Sequence, residues 1–111
     1  MRDPKERLQD ILEAIGHIER YAAYGREEFE KSELIQSWFI RHLQIIGEAA
    51  RALPSELKEK TTSVPWGKII GMRHILVHGY FEIDTEVVWN VVTRDLNELK
   101  REILNILQTP E

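Results

Sequence analysis

Beyond residue 84 the apolar side chains of this sequence keep one rhythm. Val88, Val92, Leu96, Leu99, Ile103 and Ile106 recur at steps of three and four, the period that gathers side chains on one face of an α-helix and scatters them across both faces of a strand. Asp84 or Thr85 stands where an N-cap belongs, with a side-chain oxygen that can accept from a first-turn N–H. The same rhythm opens the chain. Asp3 and Pro4 form an N-cap and first-turn pair, and Leu8, Ile11, Leu12, Ile15 and Ile18 follow until Gly25 punctuates the run. No segment alternates apolar and polar residues as a half-buried strand does, and there is no internal repeat or low-complexity tract. These features predict an all-α fold.

Two more long helices fit the pattern. One is predicted from about Glu28 or Ser32 to Leu53, ending at Pro54, and it carries two apolar rows. Ile35, Trp38, His42, Ile45 and Ala49 form the first, and Phe39, Leu43, Ile46, Ala50 and Leu53 the second. A stripe that wide can pack against sister helices and against a second subunit. "PSELKEK" reads as a short polar helix, and "TTSVP" as a loop that places Pro65 in the first turn of the next element. That element is predicted from Trp66 to about His78, with Gly79 as its terminator. The expected architecture is an antiparallel four-helix bundle with a minor extra helix, built as one domain over residues 1–111.

At 111 residues the chain can bury one core but not two. Its 42% apolar and 31% charged residues argue against disorder. Having no cysteine, it forms no disulfide and no thiolate metal site, which fits a reducing interior. The opening "MRDPKERLQD" lacks an apolar signal segment, and no run approaches the roughly 18 apolar residues of a membrane span. A soluble cytoplasmic protein without membrane contact is expected.

The net charge of −4 argues against a general nucleic-acid binder, since backbone affinity comes largely from Lys and Arg displacing counterions. Its distribution is uneven, however. From Lys60 to Phe81 there is no Asp or Glu, while Lys60, Lys68, Arg73, His74 and His78 all lie there. This cationic window contains "MRHILVHGY", residues Met72 to Tyr80, in which four reactive or polar side chains stand among aliphatic ones.

Arg73 and His78 are five positions apart and point about 140° away from each other on a regular helix. They meet only if the helix breaks at Gly79 or if two copies of the helix face each other across a twofold axis. Such a pair suits RNA chemistry without metal. A neutral imidazole can take the ribose 2′ proton, an imidazolium can protonate the leaving 5′ oxygen, and a guanidinium can stabilise the charged phosphorane. An Arg-x4-His spacing alone is common by chance.

A metal reading competes. His74 and His78 are four apart, on one helix face, the spacing of a two-histidine metal pair. A hydrolytic zinc site needs a carboxylate nearby and the window has none, although Glu48 or His42 can approach from another helix. His17, among polar neighbours on the first helix, reads as a solvated surface residue. Trp38, Trp66 and Trp89 lie on or beside apolar stripes and read as packing residues, and His42 as a hydrogen-bonded interface histidine. Arg41 and Arg51 read equally well as an extension of an RNA track or as surface ion-pair partners.

The segment "WGKIIGMRHILVHGYFEID", followed by "VVWNVV", resembles the HEPN superfamily, specifically the HepT-like toxins of two-gene toxin and antitoxin pairs. The signature of that family is Arg, four residues, His, one residue, Tyr, matched here by Arg73, His78 and Tyr80, and the resemblance extends to "IIGEAARALP" in the second long helix. Many relatives carry asparagine directly after the arginine, where this chain has His74. The resemblance implies a homodimeric or larger helical assembly and a metal-independent ribonuclease that uses no cofactor, with Arg73 and His78 catalytic at the dimer cleft. His74, His42 and Lys68 are candidates for a supporting role. It also implies a partner, an MNT-type nucleotidyltransferase antitoxin, that silences the toxin by adenylylating Tyr80. The alternative is a noncatalytic HEPN bundle serving as a binding or assembly module for such a nucleotidyltransferase. Retention of both Arg73 and His78 favours the enzyme.

Overall fold

The structure, a computed structural model, describes residues 3–71 and 84–108. Among the described residues every regular element is helical. Helix α1 (Pro4–Ala22) starts as its sequence predicts: Lys5 donates its backbone N–H to Asp3 Oδ1 at 2.8 Å, and Pro4 occupies the first turn, where a missing N–H costs nothing. It buries Leu8, Ile11, Ala14, Ile15 and Ile18 on one face. The chain then turns at Gly25, whose φ of 95° lies in the region that favours glycine.

Of the two predicted starts of the second long helix, Ser32 is the one observed, and Glu28 belongs to a separate short helix. A short α2 (Arg26–Lys31) precedes α3 (Glu33–Ala52), and Ser32 between them is extended, with φ −107° and ψ 109°. Two hydrogen-bonding arrangements make the break tolerable. Ser32 Oγ accepts from the Ile35 N–H at 3.1 Å and caps α3, while Gln36 Nε2 donates to the carbonyls of Phe29 and Glu30 at 3.0 and 3.2 Å at the end of α2. Burial supplies the reason for it. Phe29 is fully buried, stacked on Phe39 at 5.1 Å and on Trp89 at 5.4 Å, so α2 folds back to plug the bundle.

Helix α3 stops before Pro54, as predicted, and the minor helix α4 (Ser55–Lys60) follows. Lys58 Nζ reaches back to the Ala50 carbonyl at 3.2 Å, a second donor to an oxygen that already accepts from the Leu53 N–H at 3.2 Å. Helix α5 begins at Trp66 and is described through residue 71; the rest of the predicted Trp66–His78 helix and its terminator Gly79 lie outside the described residues.

Asp84 caps α6 (Thr85–Asn90), accepting from the Val87 N–H at 3.2 Å. A π-helical turn, Val91–Asp95, then leads into α7 (Leu96–Gln108). The apolar period had given no hint of this turn. Side chains reinforce it: Thr93 Oγ1 donates to the Trp89 carbonyl at 2.8 Å, and Asn97 Nδ2 to the Thr93 carbonyl at 2.6 Å.

Helices α1 and α3 form the main packed pair, and they run antiparallel: His17 meets His42, while Tyr21, further along α1, meets Trp38, earlier on α3. α7 also packs on α1, with Lys100 Nζ bound to both oxygens of Glu19 at 3.0 and 3.1 Å. The buried apolar residues of all these elements join in one cluster. No helix of the described residues is long and apolar enough to cross a membrane.

Candidate functional site

Arg73, His74, His78 and Tyr80 lie outside the described residues. What the structure describes is the anchoring of their two flanks. On the upstream side Trp66 is 7% exposed, and its Nε1 donates to Thr61 Oγ1 at 2.9 Å. That hydroxyl in turn donates to the Leu57 carbonyl at 2.9 Å, so the end of α4 and the start of α5 share one hydrogen-bonded chain. Ile69 is fully buried one turn further on. On the downstream side the Asp84 cap and buried Val88 hold the start of α6.

Lys68, a candidate for a supporting role, bonds Asp95 Oδ2 at 2.8 Å. The pair ties the first turn of α5 to the end of the π-helical turn. Lys60 likewise pairs with Glu56 at 3.4 Å. The sequence window from Lys60 to Phe81 contains no acid, yet in space two of its lysines receive carboxylates from outside the window.

His42 is placed by α3 among aromatic rings on the α1 side. It is 6% exposed, and neither ring nitrogen has a hydrogen-bond partner among the described residues. This differs from the hydrogen-bonded histidine expected there. The Trp38 ring meets it edge-on at 4.5 Å, and the His17 ring stacks on it at 4.8 Å with 25° between planes. Burial, first, and the neighbouring His17 and Arg41, second, push the His42 pKa below its ordinary value of 6.5. The ring is therefore neutral at neutral pH.

His17 corrects the sequence reading, which had placed it in solvent. It is half-buried, and its backbone carbonyl accepts from Trp38 Nε1 at 2.8 Å. The signal was present: His17 is three residues after Ala14 and four before Tyr21, a step that follows the edge of the α1 apolar face. A cavity of about 220 Å³ opens beside the stacked pair, lined by Asp10, Glu13, Ala14, His17, His42 and Ile45. Among the described residues no group of three or more His, Asp or Glu side chains is arranged to hold a metal ion. The tryptophans divide as packing residues do: Trp66 is buried, Trp89 stacks on Phe29, and Trp38 holds α3 to α1.

Comparison with known proteins adds the family. The family model described as "Ribonuclease HepT-like" matches residues 11–106. The chain is 38% identical to a protein of Caldanaerobacter subterraneus named "Putative RNase TTE0752", over 97% of each. It is also 38% identical to a Thermococcus cleftensis protein named "Probable ribonuclease HepT", over 89% of this chain and 91% of that one. A Methanocaldococcus jannaschii protein named "Gamma-glutamylcyclotransferase and putative RNase MJ0434" is 42% identical over 96% of this chain, which spans 49% of that longer protein. No solved structure matches the chain significantly.

Proposed function

The chain belongs to the HepT-like ribonuclease family, and from that premise we propose that it is a metal-independent endoribonuclease whose working groups are Arg73 and His78. The observation that carries this reading is that the matched span, residues 11–106, encloses the whole Arg73-x4-His78-x-Tyr80 signature together with both of its flanks.

In the proposed reaction a neutral His78 imidazole takes the proton of a ribose 2′-hydroxyl. The 2′ oxygen forms a bond to phosphorus and the bond from phosphorus to the 5′ oxygen breaks. A protonated imidazole, the same residue on the second chain of a homodimer, returns a proton to the departing 5′ oxygen. Arg73 stabilises the charge on the phosphorane with a planar fork matched to phosphate oxygens. No water is consumed, and the products carry a 2′,3′-cyclic phosphate and a 5′-hydroxyl. The nucleophile belongs to the substrate, which explains a motif without serine or cysteine. A homodimer answers the 140° divergence between Arg73 and His78 on a regular helix, about 100° per residue over five residues, because a twofold axis brings Arg and His of both chains into one cleft.

Control of the site falls to Tyr80 in this reading. A nucleotidyltransferase antitoxin that adenylylates the phenol would set a phosphate and a nucleoside beside Arg73, occupying its charge and repelling the RNA backbone.

One assay tests the proposal. The purified protein should cleave RNA in the presence of chelator and leave cyclic-phosphate ends, while Arg73→Ala and His78→Ala should each lose a factor on the order of 10² or more in rate. Tyr80→Phe should still cut RNA yet resist silencing when co-expressed with the nucleotidyltransferase. Parental rates in both folded alanine variants, or 3′-hydroxyl products, would place the chemistry elsewhere.

A further inference from the structure

The cavity beside His42 has no part in the proposed cleavage, and its walls are chemically one-sided. Among the described residues its polar lining comes from Asp10, Glu13, His17 and His42, with no lysine or arginine. Asp10 and Glu13 are three apart on α1, and His17 follows Glu13 by four, so all three share one helix face opposite His42 and Ile45 of α3. Asp10 has an interaction of its own, and here it adds only negative potential. His42 supplies the independent observation: 6% exposed, it lacks a hydrogen-bond partner on either ring nitrogen among the described residues. Buried polar groups are rarely left so, and such an orphan marks a place where a partner is missing.

Two ligand classes are excluded by the geometry. A phosphate or other anion would meet carboxylates. A metal ion would need three or more converging ligands, and among the described residues no such group of His, Asp or Glu side chains is arranged to hold one. The complement of the lining is a cation that carries N–H donors. We propose that the α1–α3 cavity binds an alkylammonium or guanidinium group, held between the Glu13 carboxylate and the His42 imidazole. The neutral His42 ring keeps one nitrogen as an acceptor. His17 is the movable side of the clamp, since its ring must slide off the His42 face to admit the donor.

The volume of about 220 Å³ is smaller than the roughly 300–1,000 Å³ of pockets that enclose drug-sized ligands, and it suits a group the size of one side chain. Two sources share that chemistry, a free small amine and a lysine or arginine side chain of another polypeptide.

The test is a titration of the whole, histidine-labelled chain followed by NMR of the imidazole ring signals. The probes are agmatine, N-acetylarginine N-methylamide, and uncharged pentanamide as control. The expected result is saturable movement of the His17 and His42 signals with at least one cation and none with pentanamide. Glu13→Gln, at an exposed position, and His42→Leu should each weaken binding about tenfold or more, the loss of one charge-assisted or buried hydrogen bond. If the blocked arginine binds at least as well as agmatine, the natural occupant is a polypeptide side chain; if only agmatine binds, it is a free amine. No ring-signal movement with either cation, equal binding of pentanamide, or undiminished affinity in Glu13→Gln would each overturn the proposal.

Discussion

The two apolar rows of α3 have the same length and the same period, yet they face different worlds. Phe39, Leu43, Ile46, Ala50 and Leu53 are at most 3% exposed and meet only the apolar core. The neighbouring row of Ile35, Trp38, His42, Ile45 and Ala49 lies along α1, where Ile45 remains 37% exposed and a buried histidine sits without a hydrogen bond. Periodicity identifies both rows as apolar. Only the helices packed opposite decide which one is sealed and which one edges a groove that a ligand or partner can enter.

The comparison is most easily broken at its buried end. Phe39→Ala removes a ring stacked on Phe29 and should cost about 3–5 kcal/mol of stability, read as a lowered urea midpoint by circular dichroism. Trp38→Ala, on the half-exposed row, should cost distinctly less; equal losses would erase the distinction between the rows.

His42 gives a smaller, pH-dependent effect. In the unfolded chain the imidazole takes up a proton near its ordinary 6.5, whereas the buried ring resists protonation until lower pH. The unfolded state therefore binds more protons in that interval, and stability falls with acidification. Stability should be level above about pH 6.5 and decline as pH drops through 6.5 toward the depressed native value. His42→Leu should flatten that part of the curve, measured by denaturant unfolding at a series of pH values. A curve of unchanged slope would assign the acid sensitivity to other groups.

The smallest change is expected at the exposed N-terminal end of α3. Leu34 is 85% exposed, and Leu34→Ser should alter chain stability by no more than about 0.5 kcal/mol. A larger loss that appears only at concentrations where chains associate would show that a second molecule covers this end.

Much of the helical plan was legible because its determinants are local. Asp3, Ser32 and Asp84 cap the helices that the apolar periods announce, and Pro54 ends α3. One of the two predicted starts of the second helix, Ser32, is the real cap. The short α2 was missed because a start at Glu28 runs it into the long helix without a break, and only the docking of Phe29 against Phe39 and Trp89 shows why the chain folds there. His17 was misplaced for a related reason: polar sequence neighbours describe one side of a helix, and its ring lies at the edge of the other.

By itself the sequence determined the all-helical class, the caps and most of the helix ends, and the Arg73, His78 and Tyr80 signature on which the ribonuclease reading rests. Such features depend on interactions within one or two helical turns, or on residue identity alone. Tertiary structure decided the pairings. Lys100 meets Glu19 across 81 positions, Lys68 finds Asp95 beyond its acid-free window, and His17 covers His42 from the opposite helix. Each of these needs two elements to have packed first, and packing depends on how the whole set of apolar faces is jointly buried, a condition no local stretch contains.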